Sequence, residues 1–127
     1  MKRKIFLVIL MAAIVNLSEF CFAEVMPVHF TGIRSTLNSC SYAGKVTING
    51  VSAVDGEDEI GVFVDDGMGG EILAGACVMG HLPGYYFVNI YADDTTTEAK
   101  DGAEDNEALI FRVWDKTVSS NFDSFDE

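Results

Sequence analysis

The chain has 127 residues, a length that suits one domain, and carries 20 acidic residues against 8 basic ones for a net charge of −12. That balance excludes nucleic acid and anionic membrane surfaces as partners, because both require a basic patch. It suits a self-repelling, exported protein.

The chain opens on a basic stretch, Lys2-Arg3-Lys4, then an apolar run from Ile5 to Val15, then a more polar segment ending in Cys21-Phe22-Ala23. This is the layout of a secretory signal peptide, with small residues at the −3 and −1 positions of a cut after Ala23. The apolar run falls short of the ~20 residues that span a bilayer. Ser18-Glu19-Phe20 ahead of Cys21 does not make a lipidation site, since a charge and a ring stand where small residues are needed. The expected organisation is therefore a signal peptide over residues 1–23 and a single domain over 24–127, located in the secreted, periplasmic or cell-surface space. Cleavage removes three basic residues and one acidic residue from the totals of 8 and 20, so the mature net charge is −14. It also leaves two cysteines, Cys40 and Cys77, expected to pair as a disulfide in an oxidising compartment. Closing that loop contributes roughly 3–4 kcal/mol on the chain-entropy argument.

Pro27 to Ile33 reads as a first strand centred on Val28-His29-Phe30-Thr31, with Pro27 at an edge or start position where proline is tolerated. Arg34 to Ser41 reads as loop. Tyr42 to Ile48 alternates, with Tyr42, Gly44, Val46 and Ile48 on one face, as a half-buried strand does. Asn49-Gly50 is a hairpin turn signal. From Asp58 to Val64 a short strand places Ile60, Val62 and Val64 on one face and Gly61 and Phe63 on the other. Asp65 to Gly70 is a glycine-rich turn, and Glu71 to Met79 returns as the second arm of a hairpin. That arm is apolar on both sides, which predicts a central strand covered above and below. Tyr85 to Tyr91 and Ala108 to Asp115 are further strands, separated by an acidic excursion from Asp93 to Glu107. The tail from Lys116 carries Phe122 and Phe125 and is a candidate edge strand. Six to seven short strands with close turns and no amphipathic helix predict an all-β fold, a β-sandwich of Ig-like, Greek-key or jelly-roll-like kind.

Several segments follow one another in this order: Ile48-Asn49-Gly50-Val51, Asp58-Glu59-Ile60-Gly61-Val62-Phe63, Ala74-Gly75-Ala76, Tyr91-Ala92-Asp93-Asp94-Thr95-Thr96, Asp101-Gly102-Ala103 and Glu107-Ala108-Leu109-Ile110-Phe111-Arg112-Val113-Trp114-Asp115. This set resembles β-sandwich modules of bacterial secreted and cell-surface proteins, which carry a GDEI-G-x-F/Y strand and a closing F-x-V/I-W-D strand. Glu57 stands where those modules have glycine. The resemblance implies the fold and an exported location, and it implies no activity.

Three chemistries are weighed. Asp93, Asp94, Asp101 and Asp105 are hard oxygen donors within one loop and form the candidate Ca²⁺ site, although their spacing is not that of an EF-hand. Tyr85, Tyr91 and Trp114, with Asn89 and Arg112, would form a flat sugar-binding face if the strands Tyr85–Tyr91 and Ala108–Asp115 pair; the same rings would equally fill a core. Neither His29 nor His81 belongs to a metal or nucleophile motif, and a Cys77–His81 pair would place the thiol mid-strand in apolar surroundings. The expected function is a non-enzymatic exported module for binding or extracellular assembly, with a protein or glycan partner. A carbohydrate-binding module and a small secreted protease inhibitor are the alternatives.

Overall fold

A computed structural model describes residues 24–118. Its strands are β1 (Ser39–Gly44), β2 (Thr47–Ile48), β3 (Val51–Ser52), β4 (Glu59–Asp65), β5 (Glu71–Val78), β6 (Tyr86–Tyr91) and β7 (Ile110–Trp114). They make a three-stranded sheet in the order β5-β4-β7, a two-stranded sheet β1-β6 and the small hairpin β2-β3, all antiparallel. The all-β expectation is met. The signal peptide over 1–23 and the tail with Phe122 and Phe125 lie outside the described residues.

β4 is the centre of the larger sheet. Its alternation puts Ile60, Val62 and Val64 inward, where they are at most 1% exposed; Val62 and Val64 pack with Ala74, Val88 and Ile90, and Ile60 with Ala53 and Met79. β-branched side chains at period two suit this pleated, buried surface. The turn into β5 is closed by its aspartates: Asp66 Oδ1 accepts the N–H groups of Met68 and Gly70 at 2.7 and 2.9 Å. The two acceptor bonds hold the Asp66 carboxyl below its usual range.

β5 departs from the central position its composition predicts. It hydrogen-bonds to β4 alone, and the register shifts between Val62 and Phe63, so that Val62 faces Gly75 while Phe63 faces Leu73. Ala74 is the extra residue of this bulge, and it is buried. The bulge explains the apolar character of both faces, because alternation is broken within the strand. Beyond it, β6 lies directly against β5: a Cβ on Gly75 would stand 2.3 Å from the carbonyl oxygen of Asn89. Only glycine allows the two backbones so close.

A second cluster, Ala53, Ile60 and Met79 with Val46 and Ile48, fills the end capped by the β2-β3 hairpin. Asn49 and Gly50 turn that hairpin with φ of 52° and 82°, the left-handed pair that a two-residue turn demands.

Three expectations are corrected. Val28 to Thr31 is not a strand; it is an irregular strap across the outer face of β4. Ser39 to Ser41 belong to β1, and the predicted Tyr42–Ile48 strand is broken at Lys45 and Val46, where the Val46 carbonyl accepts the Ala53 N–H at 3.0 Å. Cys40 and Cys77 are both free thiols. Cys40 aligns with Ile90 on β6, whereas the Cys77 thiol takes a backbone hydrogen bond at Phe87. Three residues along a strand separate these points by ~10 Å, more than the ~7 Å between Cα atoms that a disulfide bridges.

Candidate functional site

The described chain begins with a strap over residues 24–38, and one buried carboxylate on β4, Glu59, fixes how it sits. Glu59, 1% exposed, takes the N–H of Val28 on Oε1 at 2.7 Å, the N–H of Phe30 on Oε2 at 2.9 Å, and the N–H of His29 on both oxygens at 3.1 and 2.9 Å. Three consecutive amides thus converge on one carboxylate, which satisfies a charge that would otherwise be expensive to bury. The flanking rings lock the same residues. Phe30 lies on Gly61, where a Cβ would come within 2.8 Å of its ring, and meets Phe63 edge-on at 5.8 Å. His29 stacks on Trp114 at 4.9 Å with planes 9° apart. Asp58, 2% exposed, does related work one residue earlier: it accepts the N–H of Val54 at 2.7 Å and that of Lys116 at 3.2 Å, joining the chain before β4 to the chain after β7. The Asp58–Phe63 and Phe111–Asp115 segments are neighbours, with Glu59 opposite Trp114 and Gly61 opposite Arg112.

Between the strap, β5, β6 and the turn that follows β5 run two adjoining clefts, each of about 570 Å³. The first is walled by Phe30 and Ile33 of the strap and floored by Phe87, Asn89 and Tyr91 of β6; the second is apolar, with Val25, Met79, Leu82 and Pro83. His81 and Cys77 line both, and His81 stacks on Phe87 at 5.5 Å. Burial pushes the Cys77 thiol up to about 11, against the smaller opposing pull of the Phe87 backbone bond. At that value the thiol is protonated at neutral pH and lacks the thiolate that a cysteine nucleophile uses.

The residues considered for sugar binding do not assemble into one face. β6 pairs with β1 and β7 with β4, so the strand pairing that face required does not occur. Tyr91 lines the first cleft; Tyr85, beyond the other end of β6, lies under the Lys45 ammonium at 4.7 Å; Trp114 is stacked on His29. Arg112 forms a two-pronged ion pair with Glu71 and covers the Phe63 ring at 4.5 Å. That pairing lowers the Glu71 carboxyl and raises the guanidinium.

In the acidic excursion the candidate calcium ligands are turned towards the protein's own amides. Asp93 Oδ1 accepts the Asp101 N–H at 2.7 Å, and Asp101 Oδ1 accepts the Asp94 N–H at 2.9 Å. Asp94 Oδ1 takes the hydroxyl and the N–H of Thr96 at 2.7 and 3.0 Å, which lowers the Asp94 carboxyl. Asp101 is 7% exposed and meets Arg34 of the strap at 3.5 Å; Asp105 is exposed on a turn. Lys100 pairs with Glu107 beside them. Among the described residues no three His, Cys, Asp or Glu side chains gather as a metal site.

The grips at Asp58 and Glu59 escape sequence reasoning. Carboxylates flanking an apolar strand look like its solvated ends, and nothing local says that amides about 30 positions earlier fold back onto Glu59 or that the Lys116 amide, 58 positions later, reaches Asp58. No protein-family model, no curated protein and no solved structure matches this chain.

Proposed function

We propose that this chain is a non-enzymatic, exported β-sandwich module that binds an extracellular partner in the cleft between its N-terminal strap and β6. The observation that carries the reading is the first cleft itself: a preformed concavity beside the sheet, whose lining mixes apolar side chains such as Phe30, Ile33 and Phe87 with polar ones, Glu24, Thr31, Ser35, His81, Asn89 and Tyr91. Such a concavity is the ordinary form of a ligand site. The protonated Cys77 supports binding over catalysis. The adjacency of the Asp58–Phe63 and Phe111–Asp115 segments supports kinship with the bacterial surface modules, and the signal-peptide pattern supports export.

A carbohydrate ligand is the second reading, favoured by Tyr91 and Phe87 set beside the Asn89 amide in one cleft. The protease-inhibitor alternative loses its main support, since the cysteines do not staple the domain. Calcium is left out of this reading, which is supported by the Asp93–Glu107 loop drawing its positive partners from amides, Arg34 and Lys100. A melting temperature that falls on addition of chelator would restore it.

The test is a glycan and extracellular-protein array probed with the purified mature chain. Binding that is abolished by Tyr91→Ala and Phe87→Ala, and retained by Tyr85→Ala, is the expected result. Binding indifferent to both cleft substitutions places the partner elsewhere and overturns the reading. N-terminal sequencing of exported protein checks the compartment, with Glu24 expected first.

A further inference from the structure

A different surface, independent of the cleft, carries a second interaction. β1 pairs with β6 along one side, and along its other side it meets no strand among the described residues. Five of its six residues are exposed, and Tyr42 is 45% exposed. Natural sheets blunt such an edge with charges, proline or a bulge. β1 has none of these: its sequence is Ser-Cys-Ser-Tyr-Ala-Gly, and its register with β6 runs unbroken from Ser39↔Tyr91 to Gly44↔Tyr86. The edges of the larger sheet are managed. β7 carries Arg112 paired with Glu71, and β5 has its bulge and lies against β6.

The charge distribution indicates what fits there. Residues 25–54 contain no aspartate or glutamate and carry Arg34 and Lys45. Residues 55–118 contain 15 acidic side chains against Lys100, Arg112 and Lys116. In a chain of net −12, β1 is therefore an edge at which a second copy can approach without setting carboxylate against carboxylate. We propose that β1 is a self-association edge: β1 of one copy adds antiparallel to β1 of another about a two-fold axis, making one continuous sheet in the order β6-β1-β1-β6. An isologous contact of this kind closes at two subunits. The strand is only ~20 Å long, so the interface is small and the dimer dissociates on dilution. Salt strengthens it, because screening relieves repulsion between the two acidic bodies while the backbone bonds are unaffected.

The experiment is sedimentation of the mature full-length chain over a concentration series, at low and high salt, in reducing buffer so that Cys40 forms no covalent link. A reversible monomer–dimer equilibrium, tighter at high salt, is expected. Ala43→Glu places like charges across the axis and should weaken it about tenfold or more; Ala43→Lys tests the same edge with the opposite sign. Ala43 is exposed, and an unchanged circular dichroism spectrum and melting temperature show that either variant is folded. Ile110→Glu on β7 should leave the equilibrium unchanged. A chain that stays monomeric at every concentration and salt, including one that dimerises only after removal of residues 119–127, overturns the proposal. So does a dimer broken by Ile110→Glu and not by the folded Ala43 variants.

Discussion

Replacing Glu59 with glutamine tests the account of the strap most directly. The substitution keeps the shape of the side chain, but it removes the charge and turns an NH₂ group towards amides that are themselves donors. Four contacts from three amides are at stake, at 2.7 to 3.1 Å. Each hydrogen bond to a charged group contributes ~1.5–3 kcal/mol when broken. Lifting the strap returns its amides to water, which offsets much of the sum, so the net expected loss is ~2–4 kcal/mol of unfolding free energy. Urea unfolding of wild type and Glu59→Gln measures it. Amide exchange locates it: a local opening easier by ~2 kcal/mol speeds exchange at Val28, His29 and Phe30 by roughly 30-fold. Stability within ~0.5 kcal/mol of wild type, together with unchanged protection at those three amides, would refute the argument.

Further outcomes follow from the same geometry. Gly75→Ala forces a Cβ to 2.3 Å from the Asn89 carbonyl and should destabilise the fold by ~3 kcal/mol, read by urea denaturation; a neutral effect would mean that β5 and β6 are not held so close. Alkylation at mildly alkaline pH should label Cys40 and spare Cys77, whose thiol is held up to about 11; mass spectrometry reads one adduct, two adducts would contradict the protection of Cys77, and none without reductant would contradict the assignment of free thiols. The Asp94 carboxyl is held below its ordinary range by Thr96. A depressed native pKa contributes stability that is complete above the ordinary carboxylate value of ~4 and is lost as pH falls through the lower native value. NMR titration should show that low midpoint and its return towards the ordinary value in Thr96→Val; an unmoved midpoint would exclude Thr96 as the cause.

The parts of the fold legible in the sequence are those written by short-range pattern. Alternation of β-branched residues fixes β4 and its inward face, aspartate and glycine mark the turn to β5, and Asn49-Gly50 closes β2-β3. What stays hidden depends on partners far away in the chain. The bulge at Ala74 disguises an outer strand of its sheet as a central one, because one inserted residue moves apolar side chains onto both faces. Ser39-Cys40-Ser41 look like loop, since an exposed edge strand needs no apolar alternation. The sugar-binding face failed on strand order, a long-range property that periodicity does not encode: β6 and β7 never meet as a pair. Of the aromatic candidates, Tyr91 alone reaches the cleft, and its companions there, Phe30 and Ile33, come from a segment that periodicity assigns to a strand.

The strap also sets an order of events. Residues 28–30 are among the first of the described chain to be synthesised, yet they settle only onto surfaces supplied by Glu59, Phe63 and Trp114. Closure must bridge more than 80 residues at the His29–Trp114 stack, and contacts of such long range form slowly. The segment that leaves the ribosome early is thus the one that finishes late, and a chain interrupted before Trp114 lacks the ring on which His29 lies.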